Sequence, residues 1–183
     1  MNILFIGPNQ ISSKHKYLCL KKLYKNVDII NGYNSFILNQ ISERIFHHIS
    51  SKLFENQINK YFLKNIKKNY DLIFVDSGEF IGKNLILELK KRSKKIVYYC
   101  NDNPFVNRDK QKWKLSLGSL KYYDLIVFHN KSRVAPAKKI GIKNILLVLP
   151  SYQKGIHKPL RIINKERYNN NVIFIGTWEP ERG

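Results

Sequence analysis

Acidic residues are scarce in this sequence. Thirteen Asp and Glu stand against 33 Lys and Arg in 183 residues, a formal charge of +20. Cysteine is scarcer still, with two residues, Cys19 and Cys100, that form no CxxC pair. That excludes a disulfide scaffold, and because both lie in apolar segments they read as reduced core thiols of a cytosolic protein. No apolar stretch approaches the roughly 18 residues that a membrane-spanning helix requires. The opening "MNILFIGPNQ" lacks a basic leader and reads as a strand, not a signal peptide. The common phosphate and hydrolase signatures are missing too. "GPNQIS" is not GxGxxG, and there is no GxxxxGK[ST], HExxH or GxSxG.

The positive excess admits three readings. Clustered cations bind nucleic-acid phosphates by displacing counterions. Lysines also draw a chain to an anionic membrane surface. A chain crowded with Lys, Asn and Ile also reflects AT-rich coding, with the charge serving solubility alone. Lysine outnumbers arginine heavily, whereas bidentate recognition of phosphates and bases favours arginine. The expectation is no specific nucleic acid, with peripheral membrane contact left open. The location expected is the cytoplasm, with the inner face of the membrane as its variant.

What the chain does have is 43% hydrophobic residues, enough for a globular core, arranged as short β-type runs alternating with helical segments. The runs are Asn2–Ile6, Val27–Ile30, Asp71–Asp76, Lys95–Cys100, Asp124–His129, Asn144–Leu149 and Val172–Ile175. Most are continuously apolar, as strands covered on both faces are, which predicts an α/β, doubly wound, mainly parallel Rossmann-like sheet. Two runs open alike, "YDLIF" at Tyr70 and "YDLIV" at Tyr123. From Ser35 to Asn69 the spacing of Ile37, Ile41, Ile45, Ile49 and Leu53, then Ile58, Phe62 and Ile66, predicts one long amphipathic helix or two broken near Asn56. His47 and His48 are neighbours in it, so they point to different faces and cannot share a metal. Further helices are expected over Gly82–Arg92, Arg108–Tyr122 and Lys131–Ile140, the last stopped by Gly141. The polar stretch Ser151–Asn171 reads as a linker.

In an open parallel sheet, ligands bind beyond the carboxyl ends of the strands. Asp71 and Asp124 precede their strands and fall on the other rim as turn residues. The carboxyl rim collects Gly7-Pro8-Asn9, Asp76-Ser77-Gly78-Glu79, Asn101-Asp102-Asn103-Pro104, His129-Asn130-Lys131-Ser132 and Pro150-Ser151. Its acids arrive singly from different loops, so no metal cage is expected. A carboxylate beside amides and hydroxyls suits hydroxyl-rich acceptors and general base work. Asp102 is the first candidate, with Asp76 and Glu79 behind it. Gly7, Asn9, Ser77, Asn101, Asn103, Asn130 and Ser132 are the candidate substrate contacts. The plainer reading of Asp102 is that an acid before Asn-Pro shapes a turn.

"KIVYYCNDNPF", "YYDLIVFHNKS", "KKIGIKNILLVLPSY", "GIHKPL" and "NNNVIFIGTWEPERG" together resemble the CgeB-like, spore-maturation-type glycosyltransferases of the GT-B superfamily. The likeness covers roughly Lys95 to Gly183, and one Asn stands inserted in the family's Asp-Asp-Pro-Phe. It implies two Rossmann-like domains across a cleft. Residues 1–150 would be the N-terminal, acceptor-side domain and residues 151–171 the interdomain linker. Residues 172–183 would be the first strand and glycine loop of a truncated C-terminal donor-binding domain. It further implies sugar transfer from a nucleotide-diphosphate donor to a hydroxyl acceptor (glycan, lipid-linked or protein), with no tightly bound cofactor. Gly176, Thr177 and Arg182 would meet the donor diphosphate. Without its C-terminal half the chain is expected to be inactive. Two alternatives stay open: a non-catalytic Rossmann-like module that docks on a protein or an anionic surface, and a basic nucleic-acid binder.

Overall fold

The computed structural model describes residues 1–35, 48–106, 109 and 111–149. The chain divides into two units, Met1–Pro150 and Ser151–Gly183, and every described residue belongs to the first. The expected linker, the strand Val172–Ile175, and Gly176, Thr177 and Arg182 lie outside the described residues, as does His47.

The apolar runs become six strands: β1 (Asn2–Ile6), β2 (Asn26–Ile30), β3 (Tyr70–Asp76), β4 (Ser93–Cys100), β5 (Leu125–Phe128) and β6 (Ile145–Leu147). They form one sheet in the order β2-β1-β3-β4-β5-β6. Every adjacent pair is parallel. The fold is α/β and Rossmann-like, with a doubly wound sheet. Its helices are α1 (Ile11–Leu23), α2 (Glu55–Asn65), α3 (Lys83–Lys90), α4 (Lys114–Leu117) and α5 (Val134–Lys139).

The two faces are covered unequally, and handedness is the reason. Only the step from β1 to β2 runs one way along the sheet, and the later steps run the other way. Right-handed crossovers therefore put α1 on one face and the later helices on the opposite one. The larger core joins Leu4, Ile73, Tyr98 and Phe128 to Phe62 of α2 and Leu85 of α3. The smaller one joins Ile3, Phe5 and Val27 to Tyr17 and Leu20 of α1.

The repeated Tyr-Asp has a physical meaning. Asp71 Oδ2 accepts from the Asn2 N–H at 2.8 Å while its other oxygen meets Lys94 at 2.7 Å. Asp124 does the same, with the Ile96 N–H at 2.7 Å and Lys90 at 3.0 Å. Asp71 pins the start of β1, and Asp124 holds β4 at Ile96. Lys94 and the Asn2 N–H hold the Asp71 carboxyl below the usual carboxylate range.

Several expectations are corrected. No helix was expected over Ile11–Leu23. Arg108–Tyr122 is not one helix: α4 is a single turn, a 3-10 turn follows at Leu120–Tyr122, and Ser116 and Ser119 hydrogen-bond to carbonyls three residues back. Such back-bonding competes with a regular helix. Leu53 sits in a 3-10 turn with its side chain in solvent, whereas Ile58, Phe62 and Ile66 are core. The helix over that segment ends at Asn65, short of Asn69. Cys19 is exposed on α1, so only Cys100 is a core thiol, its pKa pushed up to about 12, chiefly by burial.

Candidate functional site

The chain reverses its direction of travel along the sheet at β1. That leaves a crevice at the carboxyl ends of β1 and β3, the position where open α/β sheets take ligands. Gly7 makes the crevice tight. Its N–H continues the ladder to the Ile30 carbonyl at 3.1 Å, and a Cβ there would sit 2.5 Å from Ser13 Oγ and 3.2 Å from Asp76 Cβ. The recess below, lined by Gly7, Tyr33, Asp76, Gly78, Glu79 and Phe80 among others, holds ≈ 10 Å³. That is room for about one water, so any larger ligand would meet the rim itself.

Two of the three expected acids are buried. Asp76 is 3% exposed and takes both hydrogen bonds from the Lys16 ammonium of α1, at 2.8 and 3.0 Å. The same ammonium lies 4.7 Å from the centre of the Tyr99 ring, whose hydroxyl is 2.6 Å from His129 Nε2. Burial, with the charges of Arg133 and Lys16, pushes the His129 pKa down, so the ring is neutral at neutral pH. Glu79 lies beneath the rim, fully buried, with Oε1 accepting from the Tyr33 hydroxyl at 2.8 Å. Burial pushes its carboxyl up, against the pull of Lys112 and the Tyr33 bond.

That shift has a sign that can be checked. Below the unfolded pKa of about 4.3 both states hold the proton. As pH rises through the folded value the native state is progressively disfavoured. Glu79→Gln keeps an acceptor for Tyr33 and cannot ionise. Its melting temperature relative to wild type is expected to improve, by calorimetry, as pH rises from about 4 above the unfolded pKa. A difference that stays flat or shrinks over that range would show that Glu79 carries no raised pKa.

Asp102 is the acid at the surface. It is 37% exposed, with Lys112 Nζ 3.7 Å from Oδ2. Burial opposes the Lys112 charge, yet the carboxylates of Glu79, Asp102 and Asp109 leave its pKa above that of ordinary lysine. The loop is shaped by others. Asn103 Oδ1 accepts from the Phe105 N–H at 3.1 Å, an Asx turn ahead of Pro104. Arg133, buried at the end of a 3-10 turn, donates to the Cys100 carbonyl at 2.9 Å and the Asn101 carbonyl at 2.6 Å. Arg133→Met would leave both carbonyls unsatisfied, and a chemical-denaturation midpoint should report a loss of about 2–4 kcal/mol. A loss under about 0.5 kcal/mol would mean that water replaces the guanidinium at no cost.

The remaining candidates divide. Asn101, Asn9 and Ser132 are exposed on the rim, and Ser77 is half-buried after β3. Asn130 Oδ1 caps the turn that holds Arg133, accepting from the Ser132 N–H at 2.9 Å, which leaves its amide group for other work. Sequence reasoning missed Lys16, Tyr99, Tyr33, Lys112 and Arg133 and placed His129 only in a rim loop. None carries a motif, and only the fold brings them to the acids. Among the described residues no cluster of three or more His, Cys, Asp or Glu fit to hold a metal ion forms, and no helix is long and apolar enough to cross a membrane. No protein-family model matches the chain, and no curated protein matches its sequence.

Proposed function

We propose that this chain supplies the acceptor-binding half of a sugar transferase that draws on a nucleotide-diphosphate sugar. The observation that carries the reading is the carboxyl rim, which a half-exposed Asp102 shares with the exposed Asn101, Ser132 and Asn9. A carboxylate so placed can take the proton of a sugar hydroxyl as it attacks, while amides and a hydroxyl hold the neighbouring hydroxyls. The residue pattern from Lys95 onward supports the assignment to the GT-B class, in which a second Rossmann-like half holds the donor. Asp102 is the acid/base group, with Lys112 Nζ 3.7 Å from its Oδ2.

Titration of isotope-labelled chain with simple glycosides, followed by amide NMR, tests the site without needing turnover. Shifts are expected at residues 101–103 and 129–132, and they should persist in high salt because the ligand is neutral. Shifts confined to the opposite rim, or none with any glycoside, would overturn it. One observation favours a second reading: Asp76 is buried against Lys16 and Glu79 is buried, which leaves Asp102 alone of the three expected acids at the surface. A non-catalytic module that holds a polar ligand needs no more than that.

A further inference from the structure

The two rims of the sheet differ in charge. On the amino rim, where strands begin and helices end, the acids are each matched by one lysine. Asp28 meets Lys68 at 2.7 Å, Asp71 meets Lys94 at 2.7 Å, Glu88 meets Lys91 at 2.6 Å and Asp124 meets Lys90 at 3.0 Å. Those pairs cancel. Left over on the same rim are Lys25, Lys67 and Lys143, exposed in the loops that enter β2, β3 and β6, and Lys138 and Lys139 at the end of α5. None of these five has a carboxylate at ion-pair distance among the described residues. The helix dipole accounts for Lys138 and Lys139. It does not account for three lysines in loops.

Apolar side chains stand among them in water. Leu23 is 74% and Tyr24 37% exposed where α1 runs out beside β2, and Ile140 is 40% exposed where α5 runs out beside β6. These places lie at opposite edges of the sheet, roughly 25 Å apart at about 4.8 Å per strand. Point-like ammonium groups with intercalated leucine, isoleucine and tyrosine suit a charged interface with an apolar interior. A nucleic-acid face would favour arginine forks and stacking rings, and the Arg92 guanidinium on this rim is engaged by the Ile66 carbonyl. A second copy would set lysine against lysine.

We infer that the amino rim is a docking face for an anionic lipid bilayer. Docked so, the chain holds Asp76 roughly 20 Å from the lipid, the length of β3 at about 3.3 Å per residue, and the carboxyl-rim site opens to water. The docking does not depend on what that site binds.

Flotation with phosphatidylcholine vesicles, with and without phosphatidylglycerol, tests it on the full chain. Binding is expected to the anionic vesicles alone and to fall away in high salt. Lys25→Glu, Lys67→Glu and Lys143→Glu combined should lower partitioning at least about tenfold, while Lys14→Glu, Lys52→Glu and Lys83→Glu, the same charge change at the carboxyl rim, should change it less than about twofold. Leu23→Ser with Ile140→Ser should weaken binding at constant charge. The corresponding Lys→Gln set serves if a Glu set fails to melt cooperatively. No binding to anionic vesicles would overturn the inference. So would equal losses from the two triple sets, which would make net charge the cause. Displacement by duplex DNA with no effect of Leu23→Ser and Ile140→Ser would make the rim a nucleic-acid face instead.

Discussion

In an enzyme that pairs this chain with a donor-binding half, as proposed above, Asp102→Asn is expected to lower turnover by about 10²–10⁴-fold, the usual worth of a positioned general base. The melting temperature should hold. Two features separate the rate from the fold. The turn ahead of Pro104 is closed by Asn103, whose side chain takes the Phe105 N–H, and the loop is tied down by Arg133 through the Cys100 and Asn101 carbonyls. Neither uses the Asp102 carboxylate. Asparagine is isosteric and hydrogen-bonds as an amide, but it cannot accept a proton at neutral pH, so KM for the acceptor should move far less than kcat. A loss of cooperative unfolding would show that Asp102 shapes the turn. Unchanged turnover would leave Asp76 as the remaining rim acid, and Asp76 could act only after parting from Lys16.

The sheet was legible because parallel strands buried on both faces must be continuously apolar, and runs such as "ILFI" and "LIFV" have few other uses. The helix that sequence reasoning missed is the one that covers the less protected face. α1 packs through Tyr17 and Leu20 onto the small cluster of Ile3, Phe5 and Val27, and Ile11, Leu18 and Leu23 stay in water, so no apolar stripe marks it. Sorting acids by strand end correctly placed Asp76 and Asp102 on the carboxyl rim. It carried no information on their partners. The Lys16 that neutralises Asp76 is 60 residues away, and the Tyr33 that engages Glu79 is 46 away. Which acid is buried and which reaches the surface is decided by tertiary packing, and no local pattern carries that information. Arg133 shows the same limit, since in "HNKSR" it reads as one more surface cation of a basic chain.

Gly78→Ala is expected to cost about 2–6 kcal/mol, combining a left-handed backbone penalty with overpacking. The turn after β3 carries two consecutive residues in that region, Ser77 at φ 70 and Gly78 at φ 69. It is held at both ends. The Ser77 N–H donates to the Tyr99 carbonyl at 2.9 Å, extending the β3–β4 ladder, and the Ile81 N–H donates to the Gly78 carbonyl at 3.0 Å. A methyl on Gly78 would lie 2.8 Å from Tyr98 Cε2 and 2.8 Å from Val75 Cγ1, both fully buried core side chains. Serine at 77 already tolerates the same backbone, so the comparison isolates the cause. Ser77→Gly relieves strain without adding volume and should stabilise, whereas Gly78→Ala should destabilise by denaturant titration. Because the turn aims Asp76 at Lys16 and Glu79 at Tyr33, the loss at Gly78 should also disorder the rim, read as broadened amide signals over residues 76–81. An alanine that costs under about 1 kcal/mol would show that the turn relaxes freely and that the rim acids are not held by it.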